Sequence, residues 1–197
     1  MVALGELMQA SASVQAKREG GWLPVLAVLV VIVAVTMGGY VTAGALSKPA
    51  GPPLVIANSV RISPLSGWQV GQEGRVGDFV GLRLTRGDAS LDVLTAQVAT
   101  SREMLLADYV RNSLEPQARS LSVSQSVKEM SVDSGLAGLR ISYVGAFGDR
   151  SSQVEGEVTA VVSESGTGVI FDAWGPAGLF GYSVGDTRKM IQTSEIM

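Results

Sequence analysis

The chain has neither cysteine nor histidine in 197 residues. Without cysteine there is no disulfide, no thiolate nucleophile and no zinc site of the usual sulfur type. Without histidine the commonest general base and the commonest transition-metal ligand are missing. Ser–His–Asp and Cys–His machinery cannot be built from these residues. A lipid-bearing N-terminal cysteine is excluded for the same reason. Charge is also scarce, at 17% with a formal net charge of −3, and the basic residues occur singly. No basic stripe exists to neutralise a run of phosphates, so nucleic acid is not an expected partner.

What the chain has in abundance is apolar sequence, concentrated near its start. Trp22–Leu46 carries no charge, and Val25–Met37 within it is almost entirely Val, Leu, Ile and Ala. About 20 such residues at about 1.5 Å rise each cross a hydrocarbon core of about 30 Å. In lipid only a helix satisfies its own backbone, which overrides the low helix propensity of the β-branched residues. Trp22 and Tyr40 stand where interfacial aromatics anchor the ends. Lys17 and Arg18 precede the segment, so residues 1–21 are expected as a cytoplasmic tail, 22–46 as a transmembrane helix and the rest outside the cytoplasm. Ala43-Gly44-Ala45 also fits a signal-peptidase site, with release after Ala45 as the alternative fate.

Residues 47–53 read as a short Pro/Gly linker, and 54–197 as one extracytoplasmic domain. Leu54–Ser63 is rich in Val and Ile and predicts strands. Val80, Leu82 and Leu84 alternate with Gly81, Arg83 and Thr85, a half-buried strand. Arg86-Gly87-Asp88 makes a turn, and Ala89–Ala99 returns with apolar residues on both faces, as a central strand does. Thr100-x-x-Glu103 fits a capping box opening a helix whose stripe is Leu105, Leu106, Tyr109, Val110 and Leu114, limited by Pro116. Leu121–Val132 predicts one strand. Residues 139–143, 154–162 and 169–174 predict an antiparallel meander, with turns at 148–150 and 164–168. Ser183–Ile196, opened by Ser183-x-x-Asp186, predicts a closing helix. The fold class expected is α+β: an antiparallel sheet packed with two or more helices.

Pro64-x-x-Gly67-Trp68, the Asp92-Val93-Leu94 strand before a helix near Tyr109, the meander and a terminal Met190-Ile191-x-x-Ser194 helix together resemble the PsbP-like α/β/α sandwich group. That group includes LpqN-type and DcrB-type exported proteins. The resemblance covers roughly 60–196 and implies an exported, often membrane-attached accessory or binding protein rather than an enzyme. It carries over no site residue, and this chain lacks the cysteine of the LpqN type.

Three sets of residues are candidates for function. Glu155 and Glu157 lie on one face of a strand, about 7 Å apart at ~3.3 Å rise per residue, a separation an inverting glycosidase could use. The alternation equally places both in water beside a core-facing Val154, Gly156 and Val158, and that is the expectation. Arg86-Gly87-Asp88 is an adhesion tripeptide, but Gly and Asp are ordinary turn residues. The connection from Trp174 to Tyr182 sets three aromatics among three glycines. Trp174, Leu179, Phe180 and Tyr182 are therefore the expected partner- or ligand-binding residues, with packing over the sheet end as the other use of the same side chains. Asp133, Asp149 and Asp172 read as isolated, so no calcium loop, metal or cofactor is expected. The sum is a single-pass, non-catalytic accessory module of the cell envelope with a membrane and an envelope protein as partners. A carboxylate hydrolase and a secreted domain are the alternatives.

Overall fold

The computed structural model describes residues 49, 51–76, 78–96, 99, 101–148 and 153–197. The expected tail and transmembrane helix, most of the 148–150 turn and part of the linker lie outside them. Among the described residues no helix is long and apolar enough to cross a membrane. Contacts divide the chain into 1–43 and 44–197, and the second unit is the one described.

Its chain opens with a hairpin, β1 (Leu54–Ile56) and β2 (Val60–Ile62), around a turn where Ala57 and Asn58 adopt positive φ. Three strands follow: β3 (Gln69–Val76), β4 (Phe79–Arg86) and β5 (Ala89–Ala96). Gly87, at φ 56, closes the β4–β5 turn with a backbone that side chains disfavour. Next come helix α1 (Arg102–Tyr109), a π-helical stretch Val110–Leu114 and a last turn, α2 (Glu115–Gln117). Pro116 explains the widening. Its ring and missing N–H cannot fit a regular turn above Asn112, so Glu115 bonds back to Val110, five residues earlier.

The remaining elements are β6 (Ala118–Val123), β7 (Lys128–Ser131), β8 (Ala137–Phe147), β9 (Gln153–Val162) and β10 (Gly168–Pro176), then α3 (Val184–Gln192) and β11 (Glu195–Ile196). The large sheet runs β3-β4-β5-β10-β9-β8-β6, with β7 also on β8, and all its pairs are antiparallel. β5 is central and buried along nearly its whole length, as its two-sided apolar sequence requires. The β8–β9–β10 meander forms as predicted.

Three expectations are corrected. Leu121–Val132 is two strands, because the chain turns off the β8 edge at residues 124–127 before rejoining it as β7. The cap of α1 is Ser101, whose hydroxyl accepts from the Met104 N–H, one residue later than the Thr100–Glu103 box. Ser183 does not cap α3 through its side chain. It already has helical dihedrals after the 3-10 turn Phe180–Tyr182, and its hydroxyl donates to the Phe180 carbonyl.

The sheet separates two apolar layers. Beneath α1 lie Phe79, Leu94, Tyr109, Ile141, Tyr143, Val158 and Ile170. On the opposite face lie Leu84, Leu91, Val93, Phe171, Phe180 and Met190, closed by α3 and the three-stranded sheet β1-β2-β11. The two ends of the sheet differ as well. One carries the start of β3, the 86–88 turn and the connection after Pro176. The other carries the polar 163–167 turn, and there Ala57 and Ser59 share a cavity with Asp78, Ala96 and Thr167.

Candidate functional site

The four residues expected to bind together are divided by the strand period. Trp174 closes β10 on the α1 side, where its indole N–H donates to Asp92 Oδ2 at 3.2 Å and the Arg83 guanidinium lies 5.2 Å over its ring. Phe180 lies on the other side of the sheet, 6% exposed, in the layer with Phe171 and Met190. Leu179 and Tyr182 point outward at 54% and 84% exposure. They flank a cleft of about 230 Å³ with Pro176, Arg86 and Asp88. Gly178, at φ 81, turns the backbone between Pro176 and Leu179. The structure thus brings together Leu179 and Tyr182 only, on a turn pinned from below by Phe180.

The adhesion tripeptide is tied into the same end. Arg86 is ion-paired with Asp186 at the start of α3 and lies 5.5 Å over the Trp68 ring. An arginine held between an aspartate and an indole is an internal strut, which removes the structural basis for an adhesion reading.

Glu157 is buried, against the expectation that it faces water. Both its oxygens accept from Arg188 on α3, at 2.9 and 2.5 Å, and the Arg140 guanidinium is 3.7 Å away. Its bond to Glu157 raises the Arg188 pKa above the ordinary value, so the cation persists at any working pH. Glu155, on the same face, is half-buried. The alternation was correctly seen, but α3 covers the face that a sheet lacking it would have exposed.

The largest surprise is on the α1 side. Asp172 is not isolated: it stands opposite Asp92 in the β5–β10 register, at 1% and 4% exposure. Arg83, in register with Asp92, grips it with two bonds of 2.6 and 2.9 Å. Asp172 accepts from Tyr109 Oη and Tyr143 Oη, each at 2.8 Å. Burial, then the Asp172 carboxylate, push the Tyr109 phenol well above its ordinary pKa. Tyr143 reaches Asp172 by laying its ring across Gly156, where a Cβ would sit 2.4 Å from the ring. No local motif announces this cluster, since 80 residues of chain separate its two acids.

A second concavity escaped the sequence. Leu106, Val110, Val123, Val127, Leu139 and Ile141 floor a trough of about 400 Å³ between α1 and the β6–β8 edge, rimmed by Glu103, Arg111 and Glu115. Its floor is the helix stripe meeting the β8 alternation, so each half was visible but the gap between them was not.

The sequence matches no family model and no curated protein. Among solved structures the architecture is similar to cyanobacterial PsbP (CyanoP) from Synechocystis sp. PCC 6803, with a TM-score of 0.52 and 10% identity over 71% of this chain and 88% of that one. LpqN, involved in cell envelope biogenesis of Mycobacterium tuberculosis, aligns at TM-score 0.49 and 11% identity over 75% and 86% of the two chains. The Saccharomyces cerevisiae Ran-binding protein Mog1p aligns at 0.48 and 9% over 76% and 96%. The likeness to cyanobacterial PsbP gives the domain a PsbP-like fold. At such identities the likeness is one of architecture and leaves function to the site.

Proposed function

We propose that the protein is a non-catalytic binding or accessory module of the cell envelope, held by Trp22–Leu46 as a single-pass anchor with its PsbP-like domain outside the cytoplasm. The observation that carries the non-catalytic part is the state of the buried acids. Among the described residues these are Asp92, Glu157 and Asp172, and each is committed to a structural partner: Arg83 with Trp174, Arg188, and the tyrosine pair. A general acid or nucleophile must be able to approach substrate. These carboxylates instead hold strands and helices together. The outward-facing Leu179 and Tyr182 are the surface offered to a partner, as large apolar side chains on a supported turn.

The test is fractionation of the full chain carrying a C-terminal tag, with intact mass and external protease treatment of cells. The expected result is a membrane-bound protein of full mass whose domain is digested from outside. A mass short by the first 45 residues would establish release after Ala45 instead, and a domain protected from external protease would reverse the topology.

A further inference from the structure

We infer that β3 is an interface at which two copies of this domain pair, strand against strand, about a twofold axis at Gly74. The contact lies wholly within the 44–197 unit and does not depend on what holds Trp22–Leu46. β3 ends the large sheet, and among the described residues nothing pairs with its outer side. Gln69–Arg75 is exposed throughout, and only Val76 is half-buried. Such an edge of unpaired N–H and C=O groups is a template for another strand, and natural edges are blunted by proline, by lysine or by a bulge. β3 has no proline or lysine, and its bulge is confined to the stretch between Val70 and Glu73. Past the bulge, residues 73–76 pair regularly with 79–82 on β4.

Charge selects the occupant. Glu73 and Arg75 stand opposite Leu82 and Val80, so both side chains leave the same face of the strand. Neither makes an ion pair or a side-chain hydrogen bond among the described residues. In an antiparallel pair, residues directly opposite one another share a face and interact. A second copy centred on Gly74 therefore sets Glu73 against Arg75 of its partner, and Arg75 against Glu73 of its partner. One symmetric contact thus makes two unlike pairs. Other registers lose both pairs, and centring on Glu73 or on Arg75 sets like against like. Gly74 suits the axis, where a side chain would meet its own copy. The paired stretch is short, 72–76, which puts the contact at the weak end of protein interfaces. The dimer is expected at concentrations on the order of 100 μM.

The absence of native cysteine lets introduced thiols report the contact directly. Full-length chains in detergent carry Gly74→Cys, where a Cβ meets nothing within 4 Å, or Ser165→Cys on the exposed 163–167 turn as the control. Each is treated with a short bismaleimide at about 100 μM protein. The expected result is a cross-linked dimer at 74 severalfold faster than at 165. In the Gly74→Cys chain, Glu73→Lys or Arg75→Glu sets like charges opposite and should slow cross-linking about tenfold. Exchanging the two, Glu73→Arg with Arg75→Glu, should restore it. Both side chains are exposed, so unchanged urea unfolding is expected for all of these charge variants. Cross-linking at 74 no faster than at 165 overturns the pairing. Fast cross-linking that ignores both single reversals also overturns it, because the copies then meet through some other surface.

Discussion

Asp92 and Asp172 face each other across the β5–β10 ladder, on one side of the sheet and nearly without solvent. Like charges directly opposite one another destabilise a ladder, so the pair persists because each acid has its own donors. Asp92 has Arg83 and the Trp174 indole, and Asp172 has two tyrosine hydroxyls. Removing one hydroxyl from a buried acceptor costs about 1–3 kcal/mol. Tyr143→Phe is expected to lose that much in urea unfolding at constant m-value. Gly156→Ala, which drives a methyl into the Tyr143 ring, is expected to cost about 1–3 kcal/mol by overpacking. In a Tyr143→Ala background most of the Gly156→Ala penalty should vanish. Equal penalties in both backgrounds would show that Gly156 is required for some other reason.

Tyr109 sets an alkaline limit. Its phenol is raised well above 10.0, first by burial and then by Asp172, its hydrogen bond to that carboxylate, Asp92 and Tyr143. The folded state therefore holds the proton more tightly than the unfolded chain. The resulting stabilisation is complete below the unfolded pKa and is lost as pH rises above about 10 toward the folded value. Tyr109→Phe should lower stability at neutral pH yet flatten the decline above pH 10. Parallel pH curves for the two proteins would exclude this role.

Arg188 fastens α3 to β9. Its side chain is 39% exposed, so solvent screening reduces what the ion pair contributes. Arg188→Ala is expected to cost about 1–2 kcal/mol, chiefly because Glu157 loses two charge-assisted bonds. Arg188→Lys should restore the charge but only part of the stability, since an ammonium cannot reproduce the fork. Full rescue by lysine in thermal melts would mean that charge alone matters there.

Legibility in the sequence followed the range of the physics. The meander and the β4–β5 hairpin could be read because alternation and Gly-Asp turns are local. β3 escaped because it is an edge strand exposed on both sides: Gly71, Gln72, Glu73, Gly74 and Arg75 have no reason to alternate. Glu157 was misplaced because strand alternation says which residues share a face, and α3, contributed 31 residues later, decides whether that face is wet. Asp172 read as isolated because its neighbour is set by β5–β10 register and not by spacing. The Trp174–Tyr182 connection stands out in the sequence by its composition. Composition cannot tell that the sheet sends Trp174 and Phe180 to opposite layers.

That division makes the connection separable by mutation. Phe180→Ala removes a buried ring from a layer shared with Phe171 and Met190, and is expected to cost about 3–5 kcal/mol by cavity formation. Leu179→Ala and Tyr182→Ala touch only exposed side chains and should stay within about 0.5 kcal/mol of the parent. Any loss of partner contact in the second pair then reports binding, because the fold beneath is intact. In Phe180→Ala the same loss would report a loosened turn, and a Phe180→Leu variant that keeps most of the volume should regain stability and contact together. If Tyr182→Ala proved as destabilising as Phe180→Ala in denaturant unfolding, the ring would be packing against protein, and no partner could claim it.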